Sequence, residues 1–259
     1  MCAEAEEGRP ILSDSLLSLS LQHRVGGLSM DVAFTLTHPW TVLFGPSGSG
    51  KTTVLRAIAG FLRPDEASIT YGPNHTTLID TRRHIFVPAH RRPVRSAGQA
   101  ARLFPHRSVR QNLTYGMVSD AKSGAMPGLV DEIISLFQLE GLQDRRPDGL
   151  SGGEQQRISV ARAVVAASAY AGPEKPLLLL DEPFTGLDAR LRDELLEGLR
   201  EWLARWEVPV LSVTHALGEA FQLGAEVIRI ADGRVVRQGP VAVVLAEERR
   251  RLLEQLRSE

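Results

Sequence analysis

Residues 45–52 read "GPSGSGKT" and satisfy the phosphate-loop pattern G-x-x-x-x-G-K-[ST] at all four defined positions. The loop runs through Gly45, Pro46, Ser47, Gly48, Ser49 and Gly50. Its glycines let consecutive backbone N–H groups turn toward one anion, and a helix opening behind them adds its positive end. In that chemistry Lys51 reaches the β- and γ-phosphates, the Thr52 hydroxyl ligates Mg²⁺, and Thr53 supports the loop. A chance match in a chain this long is expected about one time in a hundred. The flanks are those the mechanism requires. "WTVLF", residues 40–44, is a short apolar run like a buried strand, and "TVLRAIAGFL" carries helical spacing through Val54, Ile58 and Leu62.

Outward from this unit, "LLSLSLQ" and "LSMDVAFTLT" alternate like half-buried strands. Between about residues 108 and 166 the signals turn mostly helical: "SVRQNLTYGM", "GLVDEIISLFQL", and "GEQQRISVARAVVAA" with Ile158, Ala161 and Val165 on one face. "PLLLLDEP" then reads as a buried strand, Leu187, Leu191, Leu195, Leu199 and Leu203 mark a helix stripe, and "VPVLSVTH" is another strand. "EVIRIADGRVVRQG" predicts a strand pair about Asp232-Gly233, followed by a charged amphipathic helix. Alternating strands and helices make this an α/β chain with a mostly parallel sheet, an antiparallel β region at the N-terminus and a helical insert.

The 259 residues suffice to bury about 75% of the extended surface in a core. The one cysteine, Cys2, forms no internal disulfide, which fits a reducing compartment. With 30 Lys and Arg against 31 Asp and Glu the formal charge is −1, so no broad basic face for nucleic acid is expected. No apolar run approaches the ~20 residues that span a bilayer, and "MCAEAEEGRP" lacks the features of a signal peptide. The expectation is a soluble chain that meets a membrane only through partners.

A phosphate loop needs a metal carboxylate at the tip of a neighbouring buried strand, and "LLLLDEP" offers Asp181. Glu182 follows. Adjacent side chains on a strand point to opposite faces, but a turn at the strand end lets Asp181 hold Mg²⁺ while Glu182 orients or deprotonates an attacking water.

"LSGGEQQR", residues 150–157, taken with "GPSGSGKT" and "LLLLDEPFTGLD", resembles the ATP-binding subunits of ABC transporters over nearly the whole chain. The resemblance implies a single domain over 1–259, with a phosphate-loop ATPase core from 10–98 and 167–259 and a helical subdomain from 99–166. It further implies two subunits arranged head to tail, each signature stretch closing over ATP held by the other's phosphate loop. Ser151, Gly152 and Gly153 at a helix start suit such an anion clamp, which needs no catalytic group of its own. Gln99 in "GQAARLFPH" resembles the glutamine that contacts Mg²⁺ and water. Asp188 in "TGLDAR" matches a loop crossing the dimer interface, although a helix-start aspartate also serves as a cap. His215 in "SVTHA" resembles the switch histidine at the γ-phosphate.

Two stretches depart from the family. Ser96, Ala97 and Gly98 before Gln99 make a poor strand, and no aromatic precedes Gly45 where relatives stack a ring on adenine, leaving His23 or Arg24 as substitutes.

"ARLFPHRSVRQNLTYGM" is similar to bacterial importers, most closely to molybdate-importer ATP-binding subunits. The resemblance implies ATP and Mg²⁺ as cofactors and a homodimer on the cytoplasmic face of a membrane permease, with a periplasmic binding protein as indirect partner. Sulfate, phosphate, polyamine or sugar import are alternative cargoes. The stop at "RRRLLEQLRSE" points to no regulatory domain behind the ATPase. Leu103, Phe104 and Val109 are expected to line a groove for a permease helix. A soluble ABC ATPase of translation or repair is disfavoured by the single cassette and the absence of sustained heptads.

Overall fold

Every residue of "WTVLF" is buried, and the two faces of this strand belong to different hydrophobic clusters: Trp40, Val42 and Phe44 to one, Leu43 to the other. The strand therefore lies in a sheet covered on both sides, which is why it reads as continuous apolar sequence instead of alternating. The structure, a computed structural model, describes residues 15–117, 128–224 and 226–257. Cys2 and the acidic segment around it lie outside the described residues.

Eleven strands form one mixed sheet. They are β1 Leu17–Val25, β2 Leu28–Leu36, β3 Trp40–Phe44, β4 Glu66–Tyr71, β5 Thr76–Asp80, β6 Ile85–Phe86, β7 Val94–Ala97, β8 Leu177–Asp181, β9 Val210–Thr214, β10 Glu226–Ala231 and β11 Arg234–Pro240. Their spatial order is β6-β5-β4-β1-β2-β11-β10-β3-β9-β8-β7. From β10 through β3, β9 and β8 to β7 all neighbours are parallel, whereas β6, β5, β4, β1 and β2 form an antiparallel meander. The parallel core and the antiparallel region expected from sequence are thus both present, joined at β11 and β2.

The segment before Gln99 corrects an expectation. Ser96 and Ala97 do form a strand, with Ala97 opposite Leu180 in parallel register. Weak propensity is overridden because β7 is the outermost strand and the apolar β8 beside it supplies a ready ladder.

Helix α1, Lys51–Ala59, buries Val54, Leu55 and Ile58 against the cluster that also takes Leu17, Leu19 and Leu21 from β1. Its C-terminal carbonyls are satisfied by Arg92, which is 1% exposed and donates to Ala57 and Ile58 oxygens at 2.7 Å and to the Val87 oxygen at 2.7 Å. Burial pushes this guanidinium down to about 10. Arg92→Met removes the guanidinium donor from those carbonyls, leaving Ala57 its bond from the Gly60 N–H, and is expected to lower stability by about 2–4 kcal/mol in chemical denaturation.

On the other face, α2 Val109–Thr114, α3 Leu129–Leu136, α4 Gly152–Ser168, α5 Ala189–Trp206 and α6 Leu217–Leu223 share one core with β8 and β9 through Leu113, Ile133, Ile158, Leu178, Leu199 and Val210. Leu195, Leu199 and Leu203 carry the predicted α5 stripe into this core. Val109 is 0% exposed, so it belongs to that core and not to a groove. The valine follows the Ser108 cap of α2, whose capping box with Gln111 aims the first turn inward. Phe104 is half-buried and packs on exposed Tyr115 at 4.2 Å between ring centroids. Two further helices, α7 Val241–Val244 and α8 Ala246–Arg257, follow β11. Among the described residues no helix is long and apolar enough to cross a membrane.

Candidate functional site

Four adjacent parallel strands, β3, β9, β8 and β7, end on the same side of the sheet. The segments leaving their C-terminal ends carry the phosphate loop, His215, Asp181-Glu182 and Gln99 respectively. In an open parallel sheet this edge is where ligands bind.

The loop from Gly45 hugs the sheet so closely that a Cβ on Gly45 would strike the Ile230 carbonyl. Gly50 takes φ 103°, a left-handed turn into α1 that L side chains resist. Lys51 is 6% exposed and donates from Nζ to the carbonyl oxygens of Gly45 and Pro46, both at 2.8 Å. Burial lowers its pKa, opposed by the carboxylates of Glu182 and Asp181. The Ser49 hydroxyl is buried without a hydrogen-bond partner. Thr52 donates its hydroxyl to Asp181, whose carboxyl is raised chiefly by burial. A desolvated carboxylate beside a hydroxyl and an open loop of N–H groups fits a hard cation shared with phosphate oxygens. Among the described residues no group of three or more His, Cys, Asp or Glu forms an all-protein metal cage.

Glu182 is the meeting point. It adopts φ +49°, which for a non-glycine residue costs on the order of 1 kcal/mol and swings its side chain out of strand alternation. Its N–H still pairs with the Val213 oxygen at 3.1 Å, so the kink begins at the strand's last hydrogen bond. Gln99 Nε2 donates to Glu182 Oε2 at 3.2 Å, and His215 Nδ1 lies 3.0 Å from Oε1. The Thr185 hydroxyl reaches Oε2 at 3.4 Å. The carboxylate is 13% exposed, enough to meet a water and covered enough to be held.

Ser151 caps α4 as a capping box with Glu154, its Oγ 2.8 Å from Glu154 Oε2. Gly152 and Gly153 follow as the first helical residues; the space around Gly152 is open, whereas a Cβ at Gly153 would press on Leu187. Asp188 caps α5, accepting from the Leu191 N–H at 3.0 Å. A cavity of about 350 Å³ stands over the phosphate loop, lined by Ser47, Gly48, Gly50, Lys51, Thr52 and Thr53 with Gln99 and Glu182. Ser151, Gly152, Gly153 and Asp188 do not line it. The sequence-predicted residues therefore fall into two groups. Lys51, Thr52, Gln99, Asp181, Glu182 and His215 come together, and the signature stretch with Asp188 stands apart.

Sequence reasoning missed four contributors. Thr214 donates to Glu219 Oε2 at 2.6 Å and accepts from the Ala216 N–H at 3.0 Å, bracketing His215 from both sides. Gln156, buried on α4, reaches the Gly98 oxygen at 3.4 Å and ties the signature helix to the approach to Gln99. Val25 and Leu28 complete the cavity lining. The signal for Val25 was its place about twenty residues before the phosphate loop. His23 is not in the lining; its Nδ1 is held 3.0 Å from Asp65 Oδ2.

The model for ABC transporter domains matches residues 30–185. The chain is 39% identical over 230 residues to the molybdenum import ATP-binding protein ModC of Rhizobium etli, covering 89% of this chain and 62% of that protein. It is likewise 39% identical over 228 residues to the ModC of Mesorhizobium japonicum, covering 88% and 59%. The chain thus spans about three fifths of the length of these relatives. Among solved structures, cbiO1 from Clostridium perfringens, part of an ABC transporter complex, superposes with a TM-score of 0.71 at 23% identity, covering 91% of this chain and 92% of that one.

Proposed function

The chain belongs to the ABC transporter family, the model matching residues 30–185, and from that premise we propose that it is the ATP-hydrolysing subunit of an importer, cycling between a closed dimer around two ATP and an open one. The observation that carries the reading is the convergence of Gln99 and His215 on the Glu182 carboxylate beside a complete phosphate loop. This is the constellation hydrolysis needs: a base for water, a group to sense phosphate, and a cationic cradle.

In this reading the loop N–H groups and Lys51 hold the phosphates. Thr52, Asp181 and Gln99 would hold Mg²⁺, which when bound neutralises charge developing on the phosphates. Glu182 accepts the proton of the attacking water, and His215 donates a hydrogen bond toward the γ-phosphate while fixing the Glu182 orientation. Gln99 swings between Glu182 and the ligand. Ser151, Gly152, Gly153 and Asp188 complete the site of a second copy, giving their separation from this chain's own cavity a purpose. Phosphate release breaks the bridge and lets the dimer open.

The cargo we assign is molybdate or a similar oxyanion, because the similar curated proteins are molybdenum importers. The chain would sit on the inner face of the cell membrane against a permease. Half-buried Leu103 and Phe104 stay in the permease contact, while Val109 supports them from the core.

The test is phosphate release by the purified chain with Mg²⁺-ATP, together with nucleotide binding by Lys51→Ala. The unmodified chain is expected to turn over ATP. The variant is expected to bind nucleotide at least about tenfold more weakly, because the ammonium contacts phosphate already in the ground state. An inactive unmodified chain that nonetheless binds nucleotide in closed dimers would replace hydrolysis by a binding role.

A further inference from the structure

Positive charge is unevenly spread along this nearly neutral chain. No Asp or Glu occurs between Asp80 and Asp120, and the same stretch carries eight arginines. Several are used internally: Arg92 and Arg95 donate to backbone carbonyls, Arg110 pairs with Asp131 at 2.8 Å, and Arg107 Cζ lies 5.0 Å from the Tyr115 ring centroid. Arg82 lines a polar cavity with Glu66 and Asp80, on the sheet face turned away from α1 where Ser20 and Gln22 alternate with buried Leu21. Arg83 and Arg91 have no such employment. Both are exposed, and among the described residues neither has an ion-pair partner.

The fold sets them beside two further arginines. A Cβ on Gly60 would stand 3.0 Å from the Ala89 nitrogen, so the end of α1 touches the 3₁₀ turn Ala89–Arg91. At this junction lie exposed Arg56, His90 and Arg91, together with Phe61, which is 62% exposed and whose N–H donates to the Arg56 oxygen at 2.9 Å. Arg63 Cζ lies 4.5 Å from the Phe86 ring centroid, and Phe86 belongs to β6, the outermost strand on this side of the sheet. Arg83 and His84 form the turn that enters β6. The nearby acids are engaged elsewhere: Asp65 accepts from the Arg24 N–H and sits against His23, while Glu66 and Asp80 line the cavity on the opposite face. Arg56, Arg63, Arg83 and Arg91 therefore gather about an exposed phenyl ring at one sheet edge, none of the four ion-paired among the described residues.

We propose that this edge is a lipid-contact surface that takes the phosphates of anionic headgroups, so that the chain touches the bilayer itself as well as its permease; the proposal rests on the reading above only for the membrane-facing position. Unpaired guanidiniums offer forked N–H donors that match phosphate oxygens. A phenyl ring exposed among cations is poorly placed in water but suits an interface, where the ring enters below the headgroups and the cations stay at their level. Nucleic acid fits less well. Its backbone needs a long track of positive charge, whereas this cluster is short and gives way to a cavity lined by Glu66 and Asp80.

The experiment is co-sedimentation of the full chain with vesicles of phosphatidylcholine alone and of phosphatidylcholine mixed with phosphatidylglycerol. Binding is expected only to the anionic vesicles and should be lost as salt rises from about 0.05 to about 0.5 M. Each arginine near an anionic surface is worth about fivefold in partitioning, so Arg63→Gln with Arg91→Gln should weaken binding by about tenfold or more. Arg234→Gln with Arg237→Gln removes the same charge from exposed positions on β11 and should change it by less than about twofold. Phe61→Ser should weaken binding by about 3–10-fold at unchanged charge. Mg²⁺-ATP turnover without vesicles should stay within about twofold in every variant, which checks folding, and the charge-preserving pair Arg63→Lys with Arg91→Lys should retain most of the binding.

Equal binding to both vesicle types would overturn the proposal, as would equal losses from the β6-edge and β11 pairs, which would reduce the effect to net charge. Displacement by millimolar inorganic phosphate at constant ionic strength would make the edge a site for free phosphate, and binding of a single-stranded oligonucleotide as tight as that of anionic vesicles would make it a site for nucleic acid; either result overturns the lipid assignment. A chain that hydrolyses ATP but ignores anionic vesicles would sink this inference alone. One that binds them through this edge without hydrolysing ATP would sink the hydrolytic reading and leave the surface standing.

Discussion

Replacing Glu182 by glutamine is expected to slow ATP hydrolysis by about 10²–10⁴-fold, equivalent to about 3–5 kcal/mol of barrier, while leaving ATP binding intact. The substitution preserves volume and the acceptor facing His215 Nδ1, and the Gln99 amide can turn to meet the new amide. What is removed is the capacity to take a proton from water and the negative charge beside the phosphates. Affinity should therefore hold or rise even as turnover collapses, and the closed dimer should accumulate with ATP trapped. Single-turnover phosphate release and retained ATP after gel filtration separate the two effects. Near-normal turnover would remove Glu182 as the base and leave its hydrogen bonds as a structural brace.

Why this residue can be picked out at all depends on two kinds of information. Asp181 and Glu182 were legible because four buried leucines must end somewhere, and two acids at that end are costly unless they work. That Glu182 turns away from the strand, and that Gln99 and His215 both reach it, follows from the order β9-β8-β7, which brings together residues 83 and 33 positions away. No local pattern encodes that order.

The same division runs through the fold. The phosphate loop with its flanking strand and helix, the β10–β11 pair and the leucine stripe of α5 are local features with strong periodicity or turn chemistry, and each was readable. The meander β4–β6 was not. "EASITY" does alternate, but β5 and β6 are too short to show a period, and β6 has only two residues. Strand β7 was discounted on propensity and exists because β8 lies beside it. Val109 misled for a related reason, since an apolar residue behind a helix cap reads equally as core or as surface until its neighbours are known.

The last expectation tests whether "LSGGEQQR" acts on a second copy's ATP. Take one subunit with Lys51→Ala and another with Gly152→Asp, each carrying Glu182→Gln so that captured ATP is not consumed. Gly152 is the right position because a side chain there meets nothing within 4 Å, whereas one at Gly153 would press on Leu187 and confound charge with packing. An aspartate in the first turn of α4 also suits the helix end, so the fold survives while a carboxylate stands against the incoming phosphate. Neither parent homodimer should occlude ATP, because every site in it has one defect. In the mixed dimer a shared arrangement leaves one site built from an intact loop and an intact signature, with both defects in the other. Dimers purified through two different tags are then expected to retain one ATP each. If the signature instead served its own chain, both mixed sites would be damaged and none would be retained. That outcome, in dimers shown to have assembled, would leave the distance between Ser151 and the phosphate-loop cavity without a functional reason.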